Sequence, residues 1–238
     1  MNGTLGALYR LFLSNIATRG RLIGLVALGA VTILVGFAIG ANDTGDHLSD
    51  GTRMIANLGL SLVTPVVALV LASSVLGDPN EDGTLVYLWL RPVARWQLAV
   101  SATFAALTVS LPVVLVPMTI AAAATNAGGD LVAGTITASA VAVVAYTGIF
   151  TFLGLRVKRA MAWGLAYILV WEGFIARAGG GTGFLSVRQH TVSLLAHMDD
   201  GPHRLMRSSI PTAVLVPIAA AIVATYATMR RLQRQDVA

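Results

Sequence analysis

Residues 54–76 read MIANLGLSLVTPVVALVLASSVL, and residues 77–95 then turn abruptly polar, GDPNEDGTLVYLWLRPVAR. The first part carries no charged side chain and is long enough to cross the roughly 30 Å hydrocarbon core of a bilayer as a helix. The second holds Asp78, Glu81, Asp82, Arg91 and Arg95, and a further apolar run begins at Gln97. A polar island between two membrane-length runs is a connection on one face of the bilayer. There it is placed to touch a soluble partner.

The remainder of the chain agrees with that reading. Hydrophobic residues make up 56% of the 238 positions and charged residues 11%, with a mean hydropathy of +0.77. A soluble domain carries roughly 25% charge, so this is an integral membrane protein. Six spans are predicted: Leu22 to Gly40, Met54 to Leu76, Gln97 to Ala124, Leu131 to Leu155, Ala160 to Ala176 and Ile210 to Met229. The expected fold is an all-α membrane protein. It comprises six transmembrane helices in one domain over residues 1–238, with an N-terminal amphipathic interfacial helix, a cytoplasmic helix between spans 2 and 3, and an external re-entrant segment between spans 5 and 6. Pro112 and Pro117 fall inside span three and are expected to kink it.

Charge orients the spans. Arg10, Arg19, Arg21, Arg91, Arg95, Arg156, Lys158, Arg159, Arg230, Arg231 and Arg234 share one face, eleven of the sixteen basic residues. Loops rich in Lys and Arg stay in the cytoplasm, which puts both termini inside. The net charge of +5 arises from residues at span ends, where they meet lipid headgroups, and gives no support to a nucleic-acid partner. Fifteen arginines against one lysine, with abundant Ala, Val and Gly, suggest a GC-rich bacterial genome and hence a bacterial plasma membrane. There is no cysteine, so disulfides and thiolate chemistry are excluded.

Leu5, Leu8, Tyr9, Phe12 and Ile16 recur at helical spacing, with Arg10, Asn15 and Thr18 on other faces. This pattern predicts an amphipathic helix on the membrane surface over the first twenty residues. A signal peptide, ending at the small residues of 38–41, is the rival reading. In the polar island, Asp78 is expected to cap a helix beginning at Pro79, with Glu81 completing a capping box. That helix would present Leu85, Leu88 and Trp89 at helical spacing until Arg91-Pro92 ends it. It would either link the spans passively at the interface or dock into a groove of a cytoplasmic protein.

Glu81-x-Gly83-Thr84-Leu85, followed by Leu90-Arg91-Pro92-x-x-Arg95, resembles the cytoplasmic segment between the second and third spans of ABC-2 type transporter permeases. Tyr167-x-x-x-Trp171-Glu172-Gly173 and the stretch Phe184 to His190 resemble the corresponding region of small permeases of that family. Ala102 departs from the lysine that many members carry near the start of span three. The resemblance implies a permease subunit, paired with a second copy or paralogue in the lipid membrane. A separate P-loop ATPase would drive it, with force transmitted through Asp78, Glu81, Gly83, Thr84, Leu85, Leu88, Trp89 and Arg91. Export is the expected direction, and the scarcity of charge in the spans favours a lipidic, amphipathic or drug-like cargo.

The residues independently exclude an ATPase within this chain. A phosphate-binding loop needs Gly-x-x-x-x-Gly-Lys-Ser/Thr, and the only lysine, Lys158, lies between Val157 and Arg159. No cofactor is expected here, since ATP and magnesium would bind the partner, and no catalytic residue is assigned. Glu172 is the only carboxylate well inside a predicted span, a default functional candidate. Pairing with Arg177 or Arg188 is its expected role, and contact with substrate or a proton the alternative. His190, His197 and His203 lack the ligand spacing of a metal site. Residues 179–183, GGGTG, are expected to act as a hinge, while Phe184, Leu185, Val187, Val192, Leu194 and Leu195 predict short helices dipping into the outer leaflet. Gly36 and Gly40 form a small-residue pair suited to helix packing. An intramembrane protease using Glu172 with His190 or His197 is the competing function, but neither His-Glu-x-x-His nor Gly-x-Ser-x-Gly occurs. A non-transporting anchor or sensor is the third.

Overall fold

A computed structural model describes residues 2–42, 45–85, 93–175, 180–198 and 208–234. It is 89% helical, as a chain must be when most of its backbone lies where no water can satisfy its N–H and C=O groups. The described helices are α1 (Asn2–Ile16), α2 (Arg19–Gly40), α3 (His47–Met54), α4 (Thr64–Glu81), α5 (Arg95–Ala124), α6 (Gly129–Arg156), α7 (Ala160–Ala166), α8 (Val187–Met198) and α9 (Ile210–Arg234). Among the described residues, two segments adopt π-helical register. Ile55–Val63 joins α3 to α4, and Tyr167–Glu172 extends α7.

Among the described residues, five continuous helices are long and apolar enough to span a bilayer: Arg19–Gly40, His47–Glu81, Arg95–Ala124, Gly129–Arg156 and Ile210–Arg234. The expected fifth span is a shorter apolar helix, Ala160–Glu172. Its thirteen residues rise only about 20 Å, short of the hydrocarbon core. Beyond it, α8 turns back and is buried almost throughout from Val187 to Ala196.

Span two and α6 form the centre. The most apolar window of His47–Glu81 is 67% buried, against 22% for α2 and 11% for α9, so α2 and α9 present their outer sides to lipid through residues such as Ile23, Phe37, Leu215 and Ile222. The Gly36 and Gly40 pair does pack helices. Cβ atoms at those positions would collide with the backbone of Ala121 and Ala124 on α5. Gly154 of α6 is packed in the same manner against the backbone of Ser73 on α4. The amphipathic α1 lays Leu8, Phe12 and Ile16 into the core while Arg10 and Asn15 remain exposed. Helix α5 continues unbroken through Pro112 and Pro117.

Candidate functional site

The first candidate is the polar end of span two. Here the structure corrects the expected capping box, because α4 does not stop at Leu76 but runs on to Glu81. Asp78 is therefore inside the helix, and its carbonyl accepts from the Asp82 N–H at 2.9 Å. The physical reason is that the amides Asp78 would cap are already bonded within the continuing helix. Its carboxylate instead receives the guanidinium of Arg21, at the start of α2, at 2.6 Å, a charge-assisted bond.

Glu81 likewise does not reach back along its own helix. Its Oε1 accepts the backbone N–H of Arg159 at 2.6 Å. Arg159 precedes α7 with φ of 58°, a left-handed conformation that costs a non-glycine residue. Glu81 thus pins a strained turn between α6 and α7. Gly83 ends the helix with φ of 69°, the usual glycine stop. The Thr84 hydroxyl donates to the Pro79 carbonyl at 3.4 Å, and Leu85 is buried. Asp82, Gly83 and Thr84 form an exposed tip. Leu88, Trp89 and Arg91 lie outside the described residues, as does the rest of the expected helix between spans 2 and 3.

The second candidate surrounds Glu172, which is only 1% exposed. A buried carboxylate needs several donors, and it has them. Oε1 accepts the Tyr167 hydroxyl at 3.1 Å and the Val187 N–H at 3.2 Å, while Oε2 accepts the Ser186 hydroxyl. Two of these donors sit at the start of α8, where the helix dipole also favours negative charge. The first expected partner, Arg177, lies outside the described residues. The second, Arg188, turns its Nε to Ser61 of the π segment in span two. Sequence reading gave Ser61 no role and placed Tyr167 and Ser186 only within family-like stretches, because a hydroxyl's position in the sequence does not show which distant group the fold will set beside it.

The two described histidines of this region do not meet. His190 bonds the Phe184 carbonyl through Nε2 at 2.8 Å, and His197 bonds the Ser193 carbonyl through Nδ1 at 2.8 Å; His203 lies outside the described residues. Among the described residues no three His, Asp or Glu side chains are placed to hold a metal. The expected glycine hinge is instead coiled into a 3₁₀ helix, Gly180–Leu185, with Gly183 pressed against Gln189. Finally, an apolar groove of about 380 Å³ opens between α2 and α5, lined by residues including Leu25, Gly29, Ile33, Pro112 and Pro117.

Residues 19–177 match the family described as ABC-2 family transporter protein. No curated protein matches the chain. The matched region contains the Asp78 and Glu81 contacts, and it ends before α8 and α9.

Proposed function

Because the chain belongs to the ABC-2 transporter family, and so is the multi-pass permease subunit of an ABC transporter, we propose that the end of span two is where it receives force from a separate ATPase. The supporting observation is how that segment is fastened. One short stretch is bound to α2 through Asp78 and Arg21, and to the α6–α7 turn through Glu81 and the Arg159 amide. The tip at residues 82–84 stays exposed. Displacement of the tip is thereby shared among three membrane elements, which is what a coupling element must do.

In this reading the ATPase is a P-loop protein that binds ATP and magnesium, and two permease subunits, identical or paralogous, flank the path. Nucleotide biases the equilibrium between inward- and outward-open states. The basic face, including the tip, is cytoplasmic, and the membrane is a bacterial plasma membrane. Export of a lipidic, amphipathic or drug-like molecule fits spans poor in charge, and the apolar groove between α2 and α5 falls within the size range of ligand pockets.

Co-expression with candidate P-loop ATPases tests this. A single Cys at Thr84, in a chain otherwise free of cysteine, should cross-link to the ATPase, and Glu81→Ala should lower cargo-stimulated hydrolysis. If no ATPase co-purifies and Thr84→Cys never cross-links to one, the reading is wrong.

A further inference from the structure

Both π-helical segments serve the same neighbour. In π register the backbone bonds i to i+5, so residues five apart are brought together. Tyr167 and Glu172 are five apart and bonded through hydroxyl and carboxylate. In span two, the Ser61 hydroxyl donates to the carbonyl of Ala56, again five residues away, at 2.7 Å, and it accepts Arg188 Nε. One π segment thus aims a carboxylate at the start of α8, and the other aims a hydroxyl at the second residue of α8. Wide turns of this kind are uncommon and frequently mark functional sites.

The helix they meet could not hold its place by apolar contact alone. Twelve residues long, it carries His190, Thr191 and Ser193 into the interior, all 2% exposed or less. Ser186 completes its N-terminus by accepting the Gln189 N–H at 3.1 Å while donating to Glu172. Tyr146 of α6, fully buried, lies within electrostatic reach of Glu172, Tyr167 and Arg188, so the central helix borders the same cluster.

We infer that Glu172 and Ser61 are positioning residues of a polar latch that makes α8 move with the fifth and second spans instead of separating from them. Span two is a continuous helix from His47 to Glu81. Ser61, near its middle, holds α8, and its Asp78 end carries the exposed tip, about 25 Å away at 1.5 Å per residue. A displacement at the tip therefore reaches α8 through one rigid rod. Naming the tip as the input rests on the permease reading. The fastening of α8 does not.

The test uses the full chain in lipid nanodiscs, without nucleotide or ATPase, so its outcome is separate from that of any transport assay. Thr191, on α8 and fully buried, is replaced by Cys as the sole thiol, and the rate of labelling by a polar maleimide is measured. Labelling should be slow in this parent. Glu172→Ala and Ser61→Ala should each accelerate it about tenfold, the shift expected when a charge-assisted hydrogen bond is lost. Glu172→Asp should restore much of the protection, and Gly24→Ala, at a position with open space around it, should change nothing. If Glu172→Ala does not yield folded protein, Ser61→Ala, which removes one hydroxyl, decides alone. Labelling within about twofold of the parent in that variant overturns the latch, a change too small for the loss of such a bond.

Discussion

Asp78 and Glu81 stand three residues apart in sequence, yet each is held by a partner far along the chain, Arg21 and the Arg159 amide. The capping box legible in the sequence was a sound local arrangement, but it was outcompeted by partners that no local pattern reveals. Arg159 offers the sharper consequence. Its left-handed backbone costs about 1–2 kcal/mol, and Glu81 holds it there. Glu81→Ala should lower the melting temperature, whereas Arg159→Gly, which adopts that backbone freely, should make the chain insensitive to Glu81→Ala; melting curves of both single variants and the double variant would show whether the effects are non-additive. Glu172 was recognisable as a carboxylate in a span, but two of its three donors, Ser186 and the Val187 N–H, were not, since they lie more than a dozen residues further along the chain. Glu172→Leu would leave the Ser186 hydroxyl and Val187 N–H buried without an acceptor, at a cost of about 2–4 kcal/mol. Glu172→Gln, which keeps an acceptor, should cost less. Equal melting temperatures for the two variants would count against the hydrogen bonds as the source of stability.

At the scale of elements, periodicity served best where the bilayer dictates the answer. Among the described residues five helices are long and apolar enough to cross a bilayer, the second of them running His47–Glu81 where the pattern gave Met54 to Leu76, and the face of α1 buries Leu8, Phe12 and Ile16 as its spacing implied. The fifth element was harder, because apolar composition measures what lipid or protein interior will accept and does not distinguish a full crossing from a shorter apolar helix such as Ala160–Glu172. The Gly36 and Gly40 pair could be read as packing, though not against which helix. Its partner is α5, at Ala121 and Ala124. Gly36→Leu should therefore force α2 off α5 and lower thermal stability by several degrees, a core overpacking of about 1–3 kcal/mol. Gly24→Leu, on the open side of the same helix, should be neutral. Gly83, with its positive φ, should lose about 1 kcal/mol as Gly83→Ala, seen as faster amide exchange in the last turn of α4.

At the scale of the whole molecule, span two is fastened at two levels, to α8 through Ser61 near its middle and to α2 through Asp78 near its polar end. Arg21–Asp78 is partly exposed, and such pairs contribute only about 0.2–1 kcal/mol to stability. Arg21→Ala should accordingly leave the melting temperature nearly unchanged while weakening the link between ATP hydrolysis and transport. A transport-to-hydrolysis ratio equal to that of the parent would show that α2 is not part of the coupling path. By itself, the sequence determined that the chain is a helical membrane protein and that it contains no phosphate-binding loop. Those conclusions follow from composition and spacing, because hydrocarbon forces every backbone group to be satisfied within its own segment. Tertiary structure alone decided where the polar side chains find their partners. Arg21 with Asp78, Glu81 with Arg159, and Glu172 with Ser186 are brought together by helix packing, and a side chain buried among other helices takes whichever donor or acceptor the fold places beside it.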